Sequence, residues 1–279
     1  MNNPTPRLGV CSWSLRPTGP EDLADKVLSC GLSAVQIALD PIRERLWDEA
    51  RTREILRESR IEIVSGMMCM AGEDYSTLET IHRTGGVRME ATWAGNLEAA
   101  RANSEVARRL GLRLVTFHAG FIPNERAHPE RGTILSRVRQ VVDAFLARGC
   151  AIALETGQET AETLEVFLRD AARPGLGVNF DPANMILYGM GDPIEALRRL
   201  SGVVRQVHIK DAVPTRVQGT WGLEKAVGQG AVDWRVFLAT LRETGQAANL
   251  MIEREDGDDR LRDVRAAVAY LRELGVEAR

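Results

Sequence analysis

Cys150-Ala-Ile-Ala-Leu-Glu155 is an unbroken apolar run that ends on an acid, and Leu176-Gly-Val-Asn-Phe-Asp181 repeats that form after one amphipathic stretch. Short continuous apolar runs without polar alternation suit strands buried on both faces, as in a parallel sheet. Toward the C-terminus the form recurs in Val203-Val-Arg-Gln-Val-His-Ile209 and Asn249-Leu-Met-Ile-Glu253. Toward the N-terminus it recurs in Leu112-Arg-Leu-Val-Thr-Phe-His118, Ile61-Glu-Ile-Val-Ser-Gly-Met67, Ala34-Val-Gln-Ile-Ala-Leu39 and Leu8-Gly-Val-Cys-Ser-Trp-Ser14. The stretches between read as helices. Glu90 to Leu110 and Glu130 to Arg148 carry apolar residues at helical spacing with Arg and Glu opposite, and each is followed by a glycine, Gly111 or Gly149, suited to a left-handed cap. Asp192-Pro193 has the cap-then-proline order of a helix start. Eight strands, each followed by a helix, predict an α/β chain folded as one (β/α)₈ (TIM) barrel domain over residues 1–279. A doubly wound open sheet is the weaker alternative, because no glycine-rich dinucleotide turn follows the first run.

Composition bounds the partners. With 44% hydrophobic residues in 279, the chain can bury a large core without disulfides. Its net charge of −3 gives no electrostatic reason to expect nucleic acid or an anionic membrane as partner, while leaving room for a small phosphorylated substrate. Cys11, Cys30, Cys69 and Cys150 form no CxxC pair, and Cys11, Cys69 and Cys150 read as small buried hydrophobes. The segment from Met1 to Arg7 is polar and lacks a signal core, and no apolar stretch approaches the roughly 20 residues of a membrane span. A reducing, cytoplasmic setting is expected.

Three long connections, Cys69 to Met89, Ala119 to Pro129 and Ala212 to Ala231, all follow strands. In a barrel they sit on the C-terminal face, where active sites are built. Four consecutive strands end there in Glu155, Asp181, His208 and Glu253. One acid at a strand end is usually a helix cap or half of a salt bridge. Four such ends in a row are costly to bury without a cation, and three carboxylates with one imidazole suit one divalent ion, Mn²⁺, Mg²⁺, Co²⁺ or Zn²⁺.

These segments also carry a family resemblance. Ala153-Leu-Glu-Thr-Gly157, Asn179-Phe-Asp-Pro-Ala-Asn184, Val207-His-Ile-Lys-Asp211, Val227-Gly-Gln-Gly-Ala-Val-Asp-Trp234 and Ile252-Glu253 resemble the xylose-isomerase-like TIM barrels, the sugar phosphate isomerase/epimerase group that includes the D-tagatose and D-psicose 3-epimerases. The resemblance covers nearly the whole chain and is not specific for a substrate. It implies that Glu155, Asp181, His208 and Glu253 bind one metal, and that Glu155 and Glu253 exchange protons with the substrate carbon from opposite faces. That logic is physically sound, because a metal on the carbonyl and a neighbouring hydroxyl stabilises the enediolate left when the adjacent C–H breaks.

Substrate contacts are expected from Trp13, His118, Asn184, Lys210 and Arg216. Trp13 ends the first strand and can wall a sugar pocket, and Trp93 and Trp221 are either pocket walls or packing residues. His118 matches a substrate-facing position, with a packed histidine as the alternative. Asn184 stands where the family's epimerases often carry histidine. Lys210 either binds a substrate oxygen or pairs with a carboxylate, and Arg216 lies near the place of a sugar-binding arginine. Gln36 stands where an acid is common. Gln158 and Glu159 are candidates for hydrogen bonds behind Glu155. Trp234 reads as a structural anchor, His82 and His128 as solvated loop residues, and Gly228 with Gly230 as a phosphate nest or a tight turn.

The expected activity is a metal-dependent sugar or sugar-phosphate isomerase or epimerase acting through an enediolate. Alternatives are a keto-sugar or inosose dehydratase, a keto-glycoside lyase, or a non-catalytic sugar-binding protein. Four histidines in total, two of them in loops, and a net charge of −3 argue against a three-zinc DNA endonuclease of the endonuclease IV kind. Relatives of this barrel often pair, so a homodimer or homotetramer is expected, although no stripe marks an interface.

Overall fold

A computed structural model describes residues 6–245 and 247–277, so most of the Met1–Arg7 segment lies outside the described residues. Among the described residues there are ten strands: β1 (Leu8–Cys11), β2 (Ala34–Ala38), β3 (Glu62–Met67), β4 (Leu114–Phe117), β5 (Ala151–Glu155), β6 (Leu176–Phe180), β7 (Val204–Ile209), β8 (Asp211–Val213), β9 (Leu223–Lys225) and β10 (Asn249–Ile252). Eight of them close into a parallel barrel in the order β1-β10-β7-β6-β5-β4-β3-β2, each barrel strand corresponding to one apolar run. Closure is made by β1 on β10, with Leu8, Gly9 and Val10 opposite Leu250, Met251 and Ile252. Along the outer surface of the strands Val35, Val115, Ile152, Phe180 and Val207 are fully buried beneath helices such as Glu90–Leu110 and Pro129–Leu146.

The helix signals act as their chemistry requires. Asp192 accepts from the backbone N–H groups of Ile194 and Glu195 and starts helix Pro193–Leu200, and Gly111 ends Glu90–Leu110 in the left-handed region. Helix Pro129–Leu146 stops before Arg148, and Gly149 takes its positive φ in the turn beyond. The first run departs from expectation more sharply. The strand ends at Cys11, and Ser12–Leu15 winds into a 3-10 turn. There Ser12 Oγ accepts from Ala38 N and Ser14 Oγ accepts from Arg254 N, so serine side chains replace the strand ladder at the barrel rim.

The three long connections also have structure. The first contains helix Leu78–Thr84. The third contains β8 and β9, which pair antiparallel as a small ribbon. Asp211 gathers the rest of that connection, accepting from the N–H groups of Gly228, Gly230 and Val232 and from Trp234 Nε1. A Cβ on Gly230 would lie 2.0 Å from Asp211 Oδ1, so only glycine allows this approach. The glycine pair is therefore a turn, its N–H groups engaged by a carboxylate, and Trp234 is the buried anchor the sequence suggested. Among the described residues no helix is long and apolar enough to cross a membrane.

Candidate metal centre

The ends of β5, β6, β7 and β10 bring Glu155, Asp181, His208 and Glu253 together, with one ligand atom from each lying within 4.8 Å of the others. All four are buried. His208 Nδ1 lies 3.3 Å from Glu155 Oε1 and 3.3 Å from Glu253 Oε2. Asp181 caps helix Pro182–Tyr188 through Oδ1, which accepts from Ala183 N and Asn184 N. Its other oxygen is thereby turned toward the cluster.

The imidazole is oriented from below. Gln36 Oε1 lies 2.8 Å from His208 Nε2. The amide cannot be reversed, because Gln36 Nε2 donates to the Gly66 carbonyl and to Thr116 Oγ1. An amide oxygen only accepts, so Nε2 carries the proton and Nδ1 presents a lone pair. Gln206 Nε2 also donates to Gln36 Oε1, and Ser65 Oγ donates to Gln206 Oε1, continuing a polar network through the barrel interior.

The polar accounting fits a cation. His208 Nδ1, Asp181 Oδ2 and Glu253 Oε2 are buried with no hydrogen-bond partner among the described residues. Glu253 Oε2 has, besides His208 Nδ1 at 3.3 Å, an ion pair with Lys210 at 3.0 Å. Acceptors facing one point without donors are costly unless a positive charge satisfies them. The electrostatics agree. Burial works against charge on Glu253, yet Lys210 and His208 hold it well below the usual carboxylate range. Burial likewise opposes charge on Glu155, but His118 and His208 outweigh it and lower it. Asp181 is raised well above its ordinary value by burial, with Glu253 and Glu155 adding to the effect. Burial lowers His208, but Glu155 leads the charges that lift it well above its ordinary value, so the acids favour positive charge at Nδ1, which either a proton or a metal ion on its lone pair supplies.

Above the cluster opens a cavity of about 440 Å³ whose walls include Trp13, His118, Asn184, Tyr188, Glu253 and Glu255. Trp13 Nε1 donates to Glu253 Oε1 at 2.8 Å. Asn184 Nδ2 donates to Glu155 Oε1 at 2.9 Å, and His118 Nε2 is 3.5 Å from the same oxygen. Asn184 reaches Glu155 because Gly157, at φ 133°, leaves no Cβ in the way; one there would lie 2.2 Å from the Asn184 Cβ. Of the two expected roles Lys210 takes that of a carboxylate partner, pairing with Glu253 and with Glu255 at 2.5 Å, and it also donates to Asn184 Oδ1 at 3.3 Å.

Arg216 is not brought in. It is exposed in the connection between β8 and β9 and does not line the cavity. That segment joins two strands paired as a ribbon, a pairing that the loop reading of this stretch did not provide. Trp93 packs against the core and Trp221 sits edge-on to Tyr188, so neither is a cavity wall. Cys69 is exposed at the cavity mouth, which corrects its reading as a buried hydrophobe, because the chain leaves β3 two residues earlier. Glu73, Tyr75, Tyr188 and Glu255 line the cavity without having been singled out. Glu255, two residues beyond Glu253, had a signal in that spacing; the others come from loops and a short helix.

The model of one family, described as xylose isomerase-like TIM barrel, matches residues 24–274. The chain belongs to the xylose isomerase-like TIM barrel family. A xylose isomerase domain protein from Planctomyces limnophilus is 34% identical, with 90% of this chain and 91% of that one covered and a TM-score of 0.84. An L-ribulose 3-epimerase (16% identity, 96% and 94% covered, TM-score 0.75) and a probable 3-DHS dehydratase from Bacillus anthracis (14% identity, 96% and 98% covered, TM-score 0.73) share the fold. No curated protein matches the chain. Solved structures named as an epimerase and a dehydratase thus share this barrel, and the chain carries a carboxylate–histidine cluster of the kind that can hold a divalent ion.

Proposed function

We propose that this xylose isomerase-like protein is a divalent-metal-dependent sugar or sugar-phosphate isomerase or epimerase that moves a proton beside a carbonyl. The observation that carries the reading is the pair of buried carboxylates, Glu155 and Glu253, each 3.3 Å from His208 Nδ1, with Glu253 lining the cavity. Glu155, Asp181, His208 and Glu253 would hold the ion, which when bound supplies Lewis acidity toward a carbonyl oxygen. The remaining work falls to the protein's own groups. Lys210 keeps Glu253 ionised and so able to accept a proton, while the Trp13 indole N–H fixes its direction. Asn184 and Asn179 donate to the two oxygens of Glu155 and hold it for the complementary transfer. Removal by one carboxylate and return by the other on the far face inverts a centre; return to a neighbouring carbon isomerises.

A second reading is elimination, by a keto-sugar or inosose dehydratase or a keto-glycoside lyase. The Lys210–Glu255 pair favours it, because it places a proton donor beside Glu253 where a departing oxygen would need one.

Both readings are tested by NMR of metal-loaded protein in D₂O with ketoses, keto-sugars, inososes and their phosphates. Deuterium beside the carbonyl of a product with unchanged skeleton supports isomerisation or epimerisation. Loss of water or an aglycone supports elimination. Absence of exchange across the panel would remove both.

A further inference from the structure

A second recess, of about 440 Å³, lies on the same face between the connections that follow β4 and β5. Gln158 and Glu159 line it and are both buried. Gln158 Oε1 has no hydrogen-bond partner among the described residues. Glu159 makes no hydrogen bond or ion pair with any described residue, and burial alone pushes its carboxyl up to about 8. Near neutral pH that carboxyl is mostly protonated and can both donate and accept. Both residues line the recess and carry hydrogen-bonding capacity that no described residue uses.

The arrangement selects for hydroxyl groups. An anion would require an unpaired cation, but the Arg88 charge is paired with Glu130 and its other terminal nitrogen donates to the Phe121 carbonyl, leaving only its buried Nε without a partner among the described residues. Arg131 is likewise engaged by the Pro123 carbonyl and Asp170. The recess adjoins the main cavity through Tyr188, which lines that cavity. Its ring stands edge-on to Phe121 at 5.5 Å, and its hydroxyl lies 3.5 Å from Gln158 Nε2. Glu159 follows Glu155 by four positions, so their Cα atoms lie within about 14 Å of each other.

We infer that the recess is a second carbohydrate subsite, in which Gln158 and Glu159 receive the hydroxyls of a neutral ring joined to the sugar processed at Glu155 and Glu253. The inference rests on the function proposed above and narrows its substrate from free monosaccharides to glycosides.

The test is calorimetric titration of Mg²⁺-loaded protein with D-glucose, maltose, cellobiose and sucrose. At least one disaccharide should bind about tenfold more tightly than D-glucose, the effect of one or two net hydrogen bonds. Gln158→Leu and Glu159→Leu should abolish that advantage and leave the affinity for D-glucose unchanged, whereas Glu159→Gln, which keeps a donor and an acceptor, should retain it. The inference is overturned if no disaccharide is preferred, or if the preference survives in Gln158→Leu. D₂O exchange run in parallel separates the two claims. Exchange on monosaccharides without disaccharide preference removes the subsite alone; a preference lost in Gln158→Leu without any exchange removes the reaction alone.

Discussion

Gln36 shows how much one neutral side chain decides. Its amide oxygen fixes which imidazole nitrogen of His208 carries a proton, and so which one faces the acids. Gln36→Leu keeps the volume and removes the acceptor. Metal affinity should then fall by about 10–100-fold, as for losses behind other ligating histidines, and a competition titration with a chelating dye reads this directly. Unchanged affinity would show that packing alone orients the ring. Glu253→Gln preserves shape and removes basicity, so deuterium exchange should slow by on the order of 10²–10⁴-fold, while an undiminished rate would count against its role as proton carrier. Glu159 sets a pH dependence. Its folded pKa, about 8, lies above the ordinary value of 4.5, so the folded state holds the proton more tightly than the unfolded chain does. Its favourable contribution is fully present below about pH 4.5 and is lost as pH rises through about 8. His82, Arg88, Glu125, His128 and Glu130 also border the recess, and none pairs with it. Glu159→Gln should therefore gain thermal stability on the native protein between pH 6 and pH 9; a difference constant with pH would refute this.

At the scale of elements, side-chain caps and one close backbone approach hold the face on which the site is built. Asp192 is exposed, and its carboxylate binds two N–H groups at the start of helix Pro193–Leu200. Asp192→Ala should cost about 1 kcal/mol in denaturant unfolding without altering metal affinity. Gly230→Ala should do far more damage, since the added carbon would sit on Asp211 and release the connection that Asp211 gathers. The strand cores were legible because a buried parallel strand is a continuous apolar run, and Glu155, Asp181, His208 and Glu253 were legible because each terminates one. The β8–β9 ribbon was not legible: its Asp-Ala-Val and Leu-Glu-Lys strands are too short for any periodicity. Nor was the turn at Ser12–Leu15, since its cause is a pair of serine hydroxyls bonded to β2 and to the residue after Glu253. Tyr75 and Tyr188 meet at the cavity only through folding of distant connections, which no local spacing records.

For the whole molecule, an ion bound by four strands stabilises everything those strands hold together. At a free metal concentration 100 times its dissociation constant the gain is about 2.7 kcal/mol. Chelation should lower the melting temperature of the native protein, and His208→Ala should melt at the same temperature with or without chelator. A native protein indifferent to chelator would speak against a bound metal. The barrel also separates its labour. The acids and the imidazole come from β5, β6, β7 and β10, while β1 and β2 bring Trp13 and Gln36 to orient them.

The position of β10 between β7 and β1 has a consequence for synthesis. A ribosome delivers Glu155, Asp181 and His208 well before Glu253, and the strand that ends in Glu253 is also the one that shuts the ring. Until that late segment emerges, the nascent chain has three of the four ligands and an open edge on β1 and on β7. Maturation of the centre is thereby tied to completion of translation, so a ribosome stalled before residue 249 would hold a chain unable to form the full site.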